Sequence, residues 1–120
     1  MPTKKIKSYE AACKALNQDP TLPEFPALSA AEKKAAIAHY KLVIIAKALN
    51  GEWKPDWGDW GQDKYFPWFD FRDGRFVFNS VNYFYSYSYL GSRLCFRDRD
   101  TAKYAATQFI DLYNDYYLLE

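Results

Sequence analysis

The 120-residue sequence is poor in the residues that most often carry chemistry: it has one histidine, two cysteines and one methionine. With His39 the sole histidine, a nucleophile and base pair could only join it to Cys95, and a lone cysteine in a strand is usually a small core residue. Cys13 and Cys95 do not make a disulfide framework, and a chain of this size buries a core without staples, so reduced thiols in a cytoplasm are expected. No G-x-x-x-x-G-K-[ST], G-x-G-x-x-G or C-x-x-C pattern occurs, so phosphate-loop, dinucleotide and zinc readings have no motif. An excess of one charge is also lacking. The formal net charge is +1; residues 1–60 hold nine Lys against seven acids, and residues 61–120 hold seven Lys plus Arg against eight acids. No basic tail or acidic tract marks a polyanion or a membrane surface as partner. Long apolar runs are missing too. The stretch from Leu42 to Ala46 is far shorter than a membrane span, and the basic N-terminal segment lacks a signal-peptide core. A cytoplasmic protein without membrane contact is the expectation.

Aromatic residues, by contrast, are plentiful. They make up 20% of the chain, as 9 Phe, 11 Tyr and 4 Trp, within a hydrophobic fraction of 49%. Such a chain folds rather than staying disordered. Residues 1–120 read as one domain in successive parts: a helical part (1–50), a Trp-rich loop (51–63), a β-meander (64–97) and a C-terminal helix (98–118).

In the helical part, Tyr9, Ala12, Cys13 and Leu16 recur at helical spacing, and three prolines then force an extended connector. Ser29 and Glu32 form an S-x-x-E capping box before a second helix. Its apolar face runs through Ala36, Ile37, Tyr40, Ile44, Ala48 and Leu49, widened by Val43 and Ile45, and ends at Asn50-Gly51. After the loop the period becomes two. Asp73-Gly74 between aromatic runs predicts a hairpin in which Phe71 faces Phe76, Phe69 faces Phe78 and Arg72 meets Arg75. The four phenylalanines are the expected core face, under Ile37, Ile44, Phe109 and Leu112. Pro67 cannot donate to a ladder and marks the first strand as an edge. Asp98 caps a last helix whose one face carries Ala102, Ala105, Ala106, Phe109, Leu112, Tyr113 and Tyr116. The expected fold is α+β: two N-terminal helices, an antiparallel meander of about four strands, and the C-terminal helix packed with the second helix on one sheet face.

Two aromatic groups are candidate binding features. Tyr83, Tyr85, Tyr87 and Tyr89 alternate along one predicted strand, so their rings share a face. The other face carries Ser86 and Ser88 and is too polar to be a core wall. The tyrosines then either pack, half buried, against a neighbouring element or form a surface that holds a partner. Trp53, Trp57 and Trp60 either fold as a lid over the sheet edge or project as anchors. The many aspartates nearby, Asp56, Asp59, Asp63, Asp70 and Asp73, lack EF-hand spacing and read as turn residues. No catalytic residue, cofactor site or metal ligand is assigned.

Segments 38–57, 64–71, 91–96 and 102–113, containing "KALNGEWKPDW", "KYFPWFDF", "GSRLCF" and "AKYAATQFIDLY", resemble a family of short proteins encoded by phages and prophages of gut Bacteroidetes. Asp98 stands where members of that family tend to have Ser, a change that keeps an N-cap. The resemblance implies an accessory protein of a virus or mobile element acting inside a bacterial cell, and it transfers no catalytic residues.

From the residues themselves, a Tyr/Ser/Asn strand has the composition of an adaptable protein-binding surface. Single-stranded nucleic acid is the rival partner, since bases stack on aromatics and Arg72, Arg75 and Arg93 lie near in sequence. The nearly neutral charge favours a protein partner, which the resemblance would make a host or phage protein. A monomer or weak dimer that binds this partner through its aromatic surface, and is not an enzyme, is therefore expected; a minor virion structural protein is a further alternative.

Overall fold

Three helices of this chain start at side-chain oxygens that accept from otherwise unpaired backbone N–H groups. The computed structural model describes residues 6–84 and 93–118. Ser8 accepts from Ala11 N at the head of α1 (Tyr9–Ala15). Both halves of the Ser29/Glu32 capping box are formed at the head of α2 (Ala30–Asn50). Asp98 accepts from Thr101 N, at 2.8 Å, at the head of α3 (Arg99–Gln108). Helix α1 ends in a Schellman turn: Asn17 has φ 54°, and Gln18 N donates to Cys13 O at 2.9 Å.

Strands β1 (Lys64–Arg72) and β2 (Arg75–Phe84) form the expected hairpin. Asp73 and Gly74 both have positive φ, 52° and 83°, as a two-residue type I′ loop requires. Phe71 pairs with Phe76, Phe69 with Phe78 and Arg72 with Arg75. The register then slips: Trp68 pairs with Ser80, which leaves Asn79 as an extra residue on β2. A one-residue insertion reverses the parity of every later side chain. Val81 and Tyr83 therefore fall on the face of Phe76 and Phe78, which is the face turned to the helices.

The core lies among the helices. Ile6, Tyr9, Ala12, Cys13, Leu42, Ile45, Leu49, Phe96, Ala102, Ala105, Phe109 and Tyr113 are buried together. The middle of α3 is tied to the segment before α1 by Tyr104 OH donating to Ile6 O at 2.7 Å.

Several expectations are corrected. The described residues hold a two-stranded sheet, not a meander of about four strands. Tyr83 belongs to β2 itself, and the segment around Cys95 contributes one antiparallel bridge, Tyr65 to Phe96. Pro67 explains why that pairing stops: the next outward-facing position of β1 has no N–H to offer. The C-terminal helix is two helices, α3 and α4 (Ile110–Tyr117), broken at Phe109. Just before the break, the Thr107 hydroxyl donates to Lys103 O at 2.9 Å, a back-bond that bends helices. The sheet's helical neighbours are chiefly α3 and α4, while α2 packs on α1 and α4 behind them. The four-phenylalanine face is only partly core. Phe69 packs on Tyr113 and Tyr117, and Phe76 on Tyr117, but Phe71 is 59% exposed.

Candidate functional site

Helix α2 must stop where the loop begins, and Gly51 makes the stop, with φ 62° that a side chain would strain. The next residues fold through two successive turns of the same kind. In Asp56-Trp57-Gly58 and Asp59-Trp60-Gly61, the aspartate carboxylate accepts from the glycine N–H two residues on, at 3.0 and 2.9 Å. Gln62 staples the loop closed: its amide oxygen accepts from Asp56 N at 2.6 Å and its amide nitrogen donates to Lys54 O at 3.0 Å.

The closed loop is anchored by Lys64, whose side chain is fully buried. Its ammonium donates to Asp59 O and Gln62 O at 3.2 and 3.1 Å and lies 5.1 Å from the centre of the Trp57 ring. A lysine is buried only when its donors are met, and here two carbonyls and an aromatic face meet them. Asn50 fastens the other side. Its amide donates to Cys95 O and accepts from Arg97 N, both at 3.0 Å, so the last residue of α2 acts as a short strand for residues 95–97.

Between the loop, α2 and the segment at Cys95 lies an open cavity of about 330 Å³. Trp53, Pro55, Trp57 and Val43 supply apolar wall, Asn50 and Cys95 line its inner part, and Lys47, Lys54 and Arg93 bring three cationic side chains to it. All three cations are exposed, and none is in an ion pair among the described residues. Burial, opposed only in part by the charge of Lys64, pushes the Cys95 thiol up to about 11, so it stays protonated near neutral pH. Trp57 Nε1 is sealed from solvent without a hydrogen-bond partner among the described residues.

The structure thus joins Trp53, Trp57 and Arg93 in one site and separates the other candidates from it. Trp60, in the second turn, is 57% exposed and does not line the cavity. Arg72 and Arg75 are at the hairpin tip, roughly 25 Å along the strands from Lys64. They are paired there with Asp70 and Asp111, at 3.1 and 3.2 Å. Tyr83 packs on Tyr65, with Arg99 over both rings. Because Lys64 and Tyr65 leave β1 on opposite faces, Tyr83 and Trp57 are not one surface. Tyr85, Tyr87 and Tyr89 lie outside the described residues.

Sequence reasoning missed Lys47, Asn50 and Lys54 as site residues, and it missed the burial of Lys64. The tandem DWG turns and the Asn-Gly ending α2 were usable signals for a closed loop at the helix end; nothing local marks Lys64 for burial. No dyad forms between Cys95 and His39. His39 stacks on Tyr116 at 4.9 Å, and eleven residues of α2, about 16 Å, separate it from Asn50 beside Cys95.

Among the described residues, no group of three His, Cys, Asp or Glu side chains is placed to hold a metal, and no helix is long and apolar enough to cross a membrane. Compared with family models, with curated proteins and with solved structures, the chain has no match.

Proposed function

We propose that this chain is a binding protein of a phage or mobile element, working in the host cytoplasm, that engages a host or phage protein through its tryptophan-lined cavity. The observation that carries the reading is the convergence of Trp53, Pro55 and Trp57 on one cavity with three cations that make no ion pair among the described residues. Tryptophan and arginine are the residues most enriched where binding energy concentrates, and a stapled loop presents them with little ordering cost. The nucleic-acid alternative loses support from charge placement. A strand-tracking groove needs a line of free cations, whereas Arg72 and Arg75 are neutralised by carboxylates far from Arg93.

Site-specific photo-crosslinking in the bacterial host tests this. A benzophenone amino acid at position 54 is expected to trap a discrete protein, and the same probe at position 72 is not. The adduct should vanish in Val43→Phe, which fills the cavity from α2. Adducts only with nucleic acid, or the same adducts from both positions, overturn the reading.

A further inference from the structure

Resting on the protein-binding reading above, the geometry points to the chemical class of the occupant: we infer that the cavity takes one apolar aromatic side chain of a peptide whose flanking residues are acidic. The size sets the scale. A volume of about 330 Å³ is at the low end for small-ligand pockets, roughly 300–1,000 Å³, and suits a single ring rather than a row of bases.

The interior decides which ring. Both ends of the Asn50 amide are committed, to Cys95 O and to Arg97 N. The Cys95 thiol is protonated, a weak donor and acceptor, and Trp57 Nε1 is shut away from any occupant. A nucleobase entering here leaves its own donors and acceptors unmet, a loss that discriminates strongly against polar rings. A phenyl ring has nothing to leave unmet, and it gains stacking area on Trp53, Trp57 and Pro55.

The rim decides the flanks. Lys47, Lys54 and Arg93 come from three separate segments, α2, the loop and the stretch leading to Cys95, and all three line the cavity, whereas no carboxylate among the described residues does. The carboxylate of Asp56, between the wall residues Pro55 and Trp57, is turned onto Gly58 N. A peptide with carboxylates beside the ring meets these cations, and a basic peptide meets repulsion.

The test is titration of the full chain, followed by its own tryptophan fluorescence, with a blocked Asp-Glu-Phe-Asp-Glu peptide. Saturable binding is expected, weakened about tenfold or more when Phe is replaced by Ala. Lys54→Glu with Arg93→Glu, both at exposed side chains, should abolish it and create binding to the Lys-Lys-Phe-Lys-Lys peptide. Arg72→Glu with Arg75→Glu should change neither. Equal binding of the Ala peptide, failure of the charge swap, or displacement of the peptide by an oligothymidylate that binds more tightly overturns the inference. Failure here with a protein still trapped at position 54 means that the ligand class is wrong and the protein-binding reading stands. Loss of the position-54 adduct removes that reading itself.

Discussion

At the Asp73–Gly74 end of the hairpin, Phe71 stands 59% exposed and Arg72 and Arg75 rest against carboxylates. At the Lys64 end, a lysine with no exposed surface holds two loop carbonyls, Phe96 is 1% exposed in its bridge to Tyr65, and three cations without an ion pair among the described residues line a cavity. The residue types at the two ends are alike. What differs is the cover: the tip is met by α4, through Asp111, Asn114 and Tyr117, whereas the other end is enclosed by the close of α2, the stapled loop and the residues around Cys95. Aromatic burial here depends on the partner element more than on strand position, and charge is neutralised locally at the tip but kept available at the cavity.

The contrast is broken most directly by deleting one ring from each end. Phe96→Ala should cost about 3–5 kcal/mol, while Phe71→Ala should stay within about 0.5 kcal/mol, both read from urea midpoints. Similar losses for the two would mean that the tip is packed after all.

Two asparagines sharpen the comparison, because each serves as a side-chain strand. Asn50 joins Cys95 O and Arg97 N; Asn114, near the tip, accepts from Phe76 N at 2.7 Å and donates to Phe76 O at 2.9 Å. Either Asn→Ala change should destabilise by about 1–3 kcal/mol, since buried backbone groups lose their partners. Only Asn50→Ala should also weaken peptide binding at the cavity, and equal effects on binding would dissolve the distinction between the ends.

Lys64→Met should cost about 1–3 kcal/mol by stranding the carbonyls of Asp59 and Gln62 and should raise proteolytic cutting in residues 51–63. Arg72→Met, at the exposed pair, should change stability by no more than about 1 kcal/mol. A stable Lys64→Met with an uncut loop would show that Gln62 alone closes it.

The smallest effect is a difference in alkaline sensitivity. Burial raises Cys95 from 9.0 to about 11, and burial with the neighbouring Tyr116 raises Tyr117, which packs on Phe76, from 10.0 to about 12. In both cases the folded state keeps a proton that the unfolded chain releases, so the contribution is complete below the ordinary value and is lost as pH rises towards the raised one. Cys95→Ala should flatten the stability profile between pH 9 and 11, and Tyr117→Phe between pH 10 and 12. An unchanged alkaline limb in Cys95→Ala would mean that the thiol is not buried at the cavity.

Much was settled by short-range chemistry and could be read from the chain. The Ser29/Glu32 box, the Asp98 cap and the Asp73-Gly74 loop each depend on residues within three or four positions, and the hairpin register follows from the two-residue turn. The apolar face of the C-terminal region was legible from its period, down to Ala102, Ala105 and Phe109. Where the reading went astray, long-range contacts decided. The bulge at Asn79 is stabilised by its amide donating to Asp70 Oδ2 across the hairpin, at 2.7 Å, and it moved Tyr83 onto the helix-facing side. That the Cys95 segment makes a single bridge to β1 traces to Pro67, and that pairing lies in no local window.

Where helices begin and where the hairpin turns could be read from the chain alone, because caps, turns and side-chain periods are properties of neighbouring residues. Only the tertiary structure decided that Lys64 is buried, that Asn50 substitutes for a strand, and that Trp53, Trp57, Lys47, Lys54 and Arg93 share one cavity while Arg72, Arg75 and Tyr83 do not. Those outcomes depend on segments some forty residues apart in the chain meeting in space, and on hydrogen-bond partners that exist only once they have met.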